Sequence, residues 1–328
     1  MNQLLTISIP TYNRYDFLRE SLDELLVPCE ELGIEICVSD NHSSDKTVDY
    51  LRSIEGKFKY LKIYFQETNT GIDANMLHVA AMATSDYVYL LGDDDFLPAG
   101  YLKHILSLLI NGHDLIILNG WHTNSRLLRL STHLNAWEQG SMYLKPDSAF
   151  MAVWDKMPFG SFISVKKPFL TDILQSTYIG TSHAYTGLVW DYLAEKYKNT
   201  CKVNIICDSI PTVMLRGAEK TWRAEACRIM LLDVPQWFCC IAKNAIYKDA
   251  CNRMLKKYRR EQTTILQLVR YRLSMQLTIE TVALTRKYFN KVEFCKMLIF
   301  SQIPISACQV IQRIICFLRR VLKNKLVM

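Results

Sequence analysis

The feature that most constrains the fold is a fourfold alternation of apolar β-rich runs and amphipathic helical runs in residues 1–100. The β-rich runs cover residues 4–9, 34–38, 61–66 and 87–91. Between them, apolar residues at helical spacing predict helices over residues 15–26, 47–54 and 74–82. Such repeats predict an α/β fold, in which a mostly parallel sheet carries helices on both faces.

A polar cluster follows each of the four predicted strands at its carboxyl end. The clusters are residues 11–14, 40–44, 69–73 and 93–95. The carboxyl ends of parallel strands meet at one edge of a sheet, and ligands of such sheets bind there. A single polar loop would mean little, but four at one edge predict a shared pocket.

The last cluster is an uninterrupted triplet of aspartates, Asp93, Asp94 and Asp95. Neighbouring carboxylates repel one another, so a cation is expected to offset the cost of placing them together. Mg²⁺ and Mn²⁺ are the natural choices because hard cations prefer carboxylate and phosphate oxygens. A solvated acidic turn or a helix cap explains the same three residues, so the triplet alone leaves both interpretations open.

The composition indicates a globular chain with a basic surface. Half of the 328 residues are apolar, 22% are charged, and the net charge of +7 suits an anionic partner such as nucleotide phosphate, lipid or nucleic acid. The eleven cysteines form no C-x-x-C pair, which argues against a zinc site. Their odd number and the lack of a recognisable leader predict a cytoplasmic protein. The longest uncharged run, residues 297–312, is too short for a spanning helix.

Four motifs, in the same order and at similar spacing, resemble those of family 2 glycosyltransferases with the GT-A fold. They are Ser-Ile-Pro-Thr-Tyr-Asn-Arg at 8–14, Val-Ser-Asp-Asn-His-Ser-Ser-Asp at 38–45, Asn-Thr-Gly at 69–71 and Leu-Gly-Asp-Asp-Asp at 91–95. The resemblance covers residues 1–100 strongly and residues 101–220 weakly. It implies a GT-A type, Rossmann-like, mostly parallel sheet with helices on both faces, followed by a helical carboxyl-terminal region.

The resemblance also implies a nucleotide-sugar site built from the first three motifs. Pro10, Tyr12 and Arg14 would line the nucleotide pocket. Asp40 would hydrogen-bond the base, and Asn69 and Asp73 would lie near the base or the ribose. The second motif departs from the family's usual V-D-D-G-S-x-D at Ser39 and at residues 41–42, so uracil, cytosine and thymine all stay open as the base.

The fourth motif matches the family's D-x-D region, which binds the donor together with a divalent cation. In one register Asp93 and Asp95 are the metal ligands, and Asp93 and Asp94 also contact the nucleotide-sugar. In the other register Asp94 and Asp95 match the family's terminal acidic pair. Either register implies Mg²⁺ or Mn²⁺ as the cofactor.

Downstream residues are matched to catalysis and to the closing of the donor site. Inverting members of the family use a carboxylate as the base that deprotonates the acceptor, and the matching region offers Asp191 and His183. A solvated helix face and a structural histidine are the alternatives. Further on, Arg216 and Lys220 would contact phosphate, and Trp222 would pack on a sugar; an ordinary basic surface loop is the alternative.

The pattern changes near residue 224, after which it is almost wholly helical, and no glycine follows Gly217. We predict a transferase domain over residues 1–223, with a nucleotide-binding half (1–100) and an acceptor half (101–223), and a helical region over residues 224–328. The last helix is basic and amphipathic. A membrane interface, the same domain or another subunit could cover its apolar side.

Together these features predict a metal-dependent glycosyltransferase of bacterial surface polysaccharide (O-antigen or capsule) synthesis, similar to the O-antigen abequosyltransferase-like branch. It would use a nucleotide-sugar donor and a saccharide or lipid-linked acceptor. We expect it in the cytoplasm or at the cytoplasmic face of the inner membrane, with oligomerisation through its last helices and without a nucleic-acid partner. The alternatives are a nucleotidyltransferase and a basic nucleic-acid-binding protein. A nucleotidyltransferase needs a glycine-rich, lysine-bearing loop near its amino terminus, where this chain has Pro-Thr-Tyr-Asn-Arg at residues 10–14. A nucleic-acid-binding protein needs a basic patch with interleaved aromatic residues and no acidic pocket.

Overall fold

The computed structural model describes residues 3–130, 141–154, 162–165, 167–169, 176–216 and 222–325. The chain divides into two compact units, Met1–Glu219 and Lys220–Met328. This division lies close to the boundary that the change in sequence pattern predicts. The assignment of functions to the parts of the chain stays a prediction.

In the described residues, a mixed eight-stranded sheet forms the centre of the first unit. Its strands are β1 (Leu5–Thr11), β2 (Glu35–Asp40), β3 (Leu61–Phe65), β4 (Tyr87–Leu90), β5 (Leu115–Thr123), β6 (Ser141–Tyr143), β7 (Phe162–Val165) and β8 (Ile205–Arg216). Their order across the sheet is β3-β2-β1-β4-β7-β5-β8-β6. Strands β1 to β4 are mutually parallel, and β5 is parallel to β8, whereas β7 and β6 run antiparallel to their neighbours. The predicted α/β sheet is thereby confirmed, with β7 joining its two parallel parts.

Helices connect these strands. They are α1 (Tyr15–Leu32), α2 (Thr47–Ile54), α3 (Ile72–Ala81), α4 (Leu102–Leu109), α5 (Pro146–Val153) and α6 (Ala184–Thr200). Helix α1 continues past the predicted end at residue 26 and contains Pro28. Burial of Leu25, Leu26 and Cys29 favours the longer helix, and Gly33 ends it with a φ of +68°. The prediction of its end was therefore wrong.

The core of the first unit explains the strong sequence signal of its first half. Every residue of β1 and β2 is buried, as expected for parallel strands covered on both faces. Farther on, β8 is a single strand of 12 residues. Its register against β5 shifts on both sides of Asn119, which is where the apolar pattern breaks.

The described part of the second unit is helical, as predicted. Its α-helices are α7 (Trp222–Arg228), α8 (Val234–Ile241), α9 (Lys248–Gln262), α10 (Ile265–Leu273), α11 (Ile279–Leu284), α12 (Lys291–Gln302) and α13 (Ile305–Lys325). They enclose a separate core that includes Leu231, Leu268, Tyr271 and Met297. Among the described helices none is by itself long and apolar enough to cross a membrane, although α12 and α13 together meet that test of length and composition with a bend of 115° between them.

Candidate active site

The polar strand ends of the first unit meet at one edge of the sheet, as the sequence predicts. The end of β1 contacts the end of β4, because the Thr11 hydroxyl donates a hydrogen bond to Asp93 at 2.9 Å. The guanidinium of Arg14, at the start of α1, lies 4.0 Å from the Asp94 carboxylate. The aspartate triplet is therefore fixed to β1 and α1.

Two further links join the first three clusters to one another. The Asn13 side chain accepts hydrogen bonds from the backbone N–H groups of Ser44 (2.7 Å) and Asp45 (3.3 Å). The Asn41 amide donates to Asn69 at 3.0 Å, and its oxygen accepts from the backbone of Thr70 at 2.9 Å. The segments after β1, β2 and β3 are thus hydrogen-bonded in series.

In this group, Asp40 has a carboxylate oxygen that accepts no hydrogen bond from the part of the chain that the structure describes. It is buried at the end of β2, and its Oδ2 accepts a hydrogen bond from the backbone of Ser43 at 3.0 Å. Its Oδ1 is buried without a hydrogen-bond partner among the described residues. A buried carboxylate oxygen without a donor is costly, so a ligand that brings an N–H group would be favoured there.

The other residues expected around the nucleotide differ in exposure. Pro10 is buried within β1, whereas Tyr12 is 44% exposed in the loop that follows. Asn69 is exposed and hydrogen-bonds the backbone of Gly71 at 2.9 Å. Tyr12 and Asn69 therefore lie where a ligand at the sheet edge could reach them, and Pro10 shapes the strand beneath.

The three aspartates lie in different surroundings. Burial and the neighbouring Asp94 raise the pKa of Asp93 to about 7, in spite of the Arg14 charge and the Thr11 hydrogen bond that lower it. Asp94 is half-buried. Asp95 is only 2% exposed, and its Oδ1 accepts a hydrogen bond from the backbone of Arg216 at 3.1 Å.

This arrangement fits a cation that also binds the substrate. Among the residues that the structure describes, no group of three or more His, Cys, Asp or Glu side chains could hold a metal ion by itself. Mg²⁺ sites of nucleotide-using enzymes commonly combine one or two carboxylates with phosphate oxygens and water. A cation beside Asp93 would also favour its ionised form, which burial disfavours.

Arg216, expected to contact phosphate, is used within the protein. It is 2% exposed at the end of β8, and its guanidinium hydrogen-bonds the Glu20 carboxylate and the Asp94 carbonyl oxygen. The same group lies over the Phe17 ring, 4.9 Å from its centroid. Arg216 thus holds the aspartate loop against α1. Lys220 lies outside the described residues, and Trp222 begins α7 in the second unit.

Asp73 likewise holds protein groups. It lies in the first turn of α3 and is 5% exposed. Its Oδ2 accepts hydrogen bonds from the backbone of Gly180 (2.8 Å) and Ser182 (2.9 Å), and its Oδ1 accepts from Ala184 (3.1 Å). Burial raises the pKa of Asp73, and these three hydrogen bonds counter that effect. Its carboxylate therefore anchors the loop that starts α6.

The two base candidates are both placed by α6. His183 is the N-cap of this helix, half-buried, with Nδ1 3.1 Å from the Thr181 carbonyl oxygen. Asp191 accepts a hydrogen bond from the Tyr178 hydroxyl at 2.9 Å. Eight residues separate them, which is about 12 Å along a helix axis. They cannot both act on one acceptor hydroxyl, and only His183 belongs to the loop that Asp73 anchors.

Several contributing residues were given no individual role in the sequence-based prediction. Thr11, Glu20 and Asn41 make the contacts just described but carry little signal of their own. Asn41 was noted only as a departure from the family's motif, although its position directly after a strand next to Asp40 could have marked it. Glu20 looks like an ordinary exposed helix residue in the sequence, and it becomes important only through Arg216.

Comparison with known proteins agrees with this geometry. The family model for glycosyl transferase family 2 matches residues 6–169. The abequosyltransferase RfbV of Salmonella typhimurium is 27% identical over 290 residues, which cover 82% of this chain and 84% of that protein. An uncharacterised glycosyltransferase of Haemophilus influenzae is 29% identical over 117 residues, covering 36% of this chain and 46% of that protein.

Solved structures agree in fold. Residues 1–349 of S. aureus TarS in complex with UDP give a TM-score of 0.52 at 14% identity, covering 91% of this chain and 89% of that one. The same protein with UDP-GlcNAc gives 0.51 at 15% identity, covering 95% and 91%. The family match spans half of the chain, and the predicted family and its resemblance to the abequosyltransferase branch are confirmed. The chain is a glycosyltransferase and belongs to glycosyl transferase family 2.

Proposed function

We propose that this enzyme uses Mg²⁺ or Mn²⁺ to transfer a sugar from a nucleotide-sugar to a saccharide or lipid-linked saccharide, in the synthesis of a bacterial surface polysaccharide such as O-antigen or capsule. The observation that carries this proposal is the aspartate triplet at the carboxyl end of β4, joined by hydrogen bonds and an ion pair to the segment after β1. The similarity to an abequosyltransferase supports the choice of pathway.

The base of the donor would bind at Asp40. Its buried, unpartnered Oδ1 favours a base that offers an N–H group at its Watson–Crick edge. Uracil and thymine offer a ring N–H, and cytosine offers an amino group. Tyr12, which is 44% exposed, would pack against the base or ribose. Asn69, at the exposed end of the hydrogen-bonded series, would contact the ribose.

The diphosphate would lie between the aspartate triplet and the start of α1. Asp93 and Asp95 are the proposed metal ligands, with Asp94 beside the donor. A bound cation would stabilise the negative charge that develops on the leaving diphosphate. Arg14, 4.0 Å from Asp94, brings a positive charge to the same place. Arg216 would act by holding the loop, because its guanidinium already has the Glu20 carboxylate and the Asp94 carbonyl as partners.

His183 is the better of the two proposed bases for an inverting reaction. Its loop is anchored to the start of α3 by Asp73, which favours a position at the polar edge of the sheet. Asp191 lies two turns farther along α6 and accepts the Tyr178 hydroxyl hydrogen bond. If His183 takes the proton from the acceptor hydroxyl, the rate of transfer should decrease as the pH is lowered, because a protonated imidazole cannot act as a base. His183→Ala should then lower kcat far more than Asp191→Asn does.

A thermal-shift screen tests the donor and the metal together. UDP-, CDP- and dTDP-sugars are compared, each with Mn²⁺ and with excess chelator. A donor present at 100 times its Kd should stabilise the folded protein by about 2.7 kcal/mol, and chelation should remove most of this gain. Stabilisation that persists unchanged after chelation would refute metal-dependent donor binding.

Asp95→Asn provides the matching test of catalysis. The amide retains an oxygen that can accept the Arg216 backbone hydrogen bond, so the fold should remain while transfer is lost. Normal turnover by this variant would overturn the metal assignment. Release of pyrophosphate from a nucleoside triphosphate and a sugar phosphate would indicate a nucleotidyltransferase instead.

The proposed place of work is the cytoplasm or the cytoplasmic face of the inner membrane, where a lipid-linked acceptor would be available. Self-association through the carboxyl-terminal helices also remains a prediction. Fractionation of cells that express the full chain, followed by a wash in high salt, would separate a free protein from one that adheres to the membrane surface.

A further inference from the structure

Over residues 305–317 of helix α13, whose side chains the structure describes, one apolar side is packed and another is exposed. Cys308 is buried and Ile311 is half-buried on the side that packs against α10. On another side Val310, Ile314 and Phe317 follow one another at helical spacing and are 55%, 53% and 66% exposed. Exposed apolar side chains in a row, rather than scattered singly, indicate an interaction surface.

Helix α12, directly before α13, shows the same character. Val292 and Ile299 are seven residues apart on one side of the helix, and they are 66% and 62% exposed. Met297 is buried on another side, so α12 also packs with one side and exposes another. Five of the exposed apolar residues of these two helices are called the α12–α13 surface below: Val292, Ile299, Val310, Ile314 and Phe317.

The charges around this surface are nearly all positive. Residues 291–325 contain seven Lys and Arg residues and a single acid, Glu293. Lys291, Lys296 and Arg313 are exposed. Glu293 is 7% exposed and forms the capping box at the start of α12 with Asn290, so its charge is used locally. What these helices present outward is therefore apolar and cationic.

We propose that the α12–α13 surface binds the anionic phospholipid surface of a bilayer. Its apolar side chains would enter the boundary between headgroups and acyl chains, while Lys and Arg contact the headgroups. This inference gives a physical basis to the membrane contact within the proposed function, but it rests on its own observations.

Two other occupants fit less well. A second copy of the chain, related by twofold symmetry, would place the same positive charges against each other, and like charges across an interface oppose association. Nucleic acid matches the charge but not the row of aliphatic and aromatic side chains at the centre, because protein–nucleic acid interfaces are more polar. An anionic bilayer satisfies both features.

Sedimentation with vesicles tests the proposal on the full chain, without any sugar donor. Vesicles of phosphatidylcholine alone are compared with vesicles that contain one-third phosphatidylglycerol. The wild-type protein should sediment with the anionic vesicles, and less so as salt rises. The double variant Ile314→Glu/Phe317→Glu should bind them at least about tenfold more weakly, since it removes two inserting side chains and adds repelling charge.

The matched control is Ile110→Glu, which places the same charge on an apolar residue that is 77% exposed in the first unit. It should bind vesicles like the wild type. A second variant, Lys296→Gln/Arg313→Gln, should still bind the anionic vesicles when the salt concentration is low. As salt is added, it should dissociate from them at a lower salt concentration than the wild type does. Thermal unfolding of each variant verifies that these exposed substitutions leave the fold intact.

The outcomes divide clearly. No binding to anionic vesicles, or equal binding by the Ile314→Glu/Phe317→Glu variant, overturns the proposal. A dimer seen by light scattering that this variant dissociates, without vesicle binding, assigns the surface to a second copy and overturns it as well. Stabilisation of the double variant by the nucleotide-sugar should equal that of the wild type, so a failure of the donor proposal would be recognised separately.

Discussion

Replacement of Asp73 tests whether this residue holds the loop before α6 or contacts the donor. In the native protein its carboxylate accepts three backbone hydrogen bonds, from Gly180, Ser182 and Ala184. Asp73→Ala leaves all three N–H groups without this acceptor. Asp73→Asn keeps one oxygen, which can still accept from Gly180 and Ser182, but turns an NH₂ group toward the N–H of Ala184.

The expected loss follows from these contacts. A hydrogen bond to a charged group contributes about 1.5–3 kcal/mol, so three would reach about 4.5–9 kcal/mol if they were independent. They share one carboxylate, and burial raises the pKa of Asp73, which means that its ionisation opposes folding. Loss of a single helix-capping side chain costs about 0.5–2 kcal/mol. We therefore expect about 3–5 kcal/mol for Asp73→Ala and about 1–2 kcal/mol for Asp73→Asn.

Urea unfolding at pH 7 measures these free energies, with Asp49→Asn as the control. Asp49 is an exposed first-turn aspartate of α2, and its replacement should cost only about 0.3–1 kcal/mol. Kinetics then separate the two roles of Asp73. If it positions the loop that carries His183, Asp73→Asn should lower kcat about tenfold while the donor KM stays within about twofold.

Two results would refute this reasoning. One is a free energy of unfolding for Asp73→Ala that equals that of the Asp49 control, because the three hydrogen bonds would then contribute nothing. The other is a large rise in donor KM with unchanged kcat for Asp73→Asn. That result would indicate that Asp73 contacts the donor near the base or ribose, as the family resemblance implies.

Three further predictions concern the frame around the site. A Cβ at Gly120 would lie 2.2 Å from the carbonyl oxygen of Val213, so Gly120→Ala should destabilise the protein by about 3 kcal/mol in urea unfolding. Arg216→Lys loses the guanidinium contacts to the aspartate loop and to a half-exposed partner on α1, so it should cost about 1–2 kcal/mol and raise the Mn²⁺ concentration needed for half-maximal transfer. Burial raises the pKa of Glu35, but hydrogen bonds from Lys62 and two threonines outweigh it, so the pKa is lowered overall. The stability that the ionised Glu35 contributes through these hydrogen bonds is present above the ordinary glutamate pKa of about 4.3, and it is lost as pH falls through the lower pKa of the folded protein. Glu35→Gln should therefore flatten the curve of stability against pH in that range.

Matched substitutions at open positions provide the controls. Gly100→Ala meets no atom within 4 Å and should leave the free energy of unfolding nearly unchanged. Arg126→Lys is the control for Arg216→Lys and should not alter the Mn²⁺ concentration needed for transfer, because Arg126 is exposed. Glu67→Gln is the control for Glu35→Gln and should not alter the dependence of stability on pH, because Glu67 is exposed. If any of these controls matched its partner variant, the cause named for that variant would be wrong.

Most of the first half of the sheet could be predicted from the sequence because β1, β2 and β4 are buried on both faces. Apolar-rich runs that end in polar residues mark β1 to β4 within two residues of their observed bounds, although the edge strand β3 alternates between half-buried and exposed residues. The second half lacks that signal. Strand β6 has only three residues, and β8 is interrupted by a polar stretch where its register against β5 shifts. The antiparallel direction of β7 depends on long connections that local periodicity does not describe.

The limits of the site prediction have one physical cause, which is that a charge at a strand end can bind either a ligand or the protein itself. The contacts that each residue makes in the folded chain decide between these, and the sequence does not give them. The Asp73 carboxylate and the Arg216 guanidinium bind groups of the protein. Asp40 is equally buried, but its Oδ1 has no hydrogen-bond partner among the described residues. For the two base candidates, the deciding feature is the start of α6 at residue 184. His183 therefore caps the helix that carries Asp191, and about 12 Å along the axis separates the two residues. Only one of them can therefore serve the acceptor, and the Asp73 anchor favours His183.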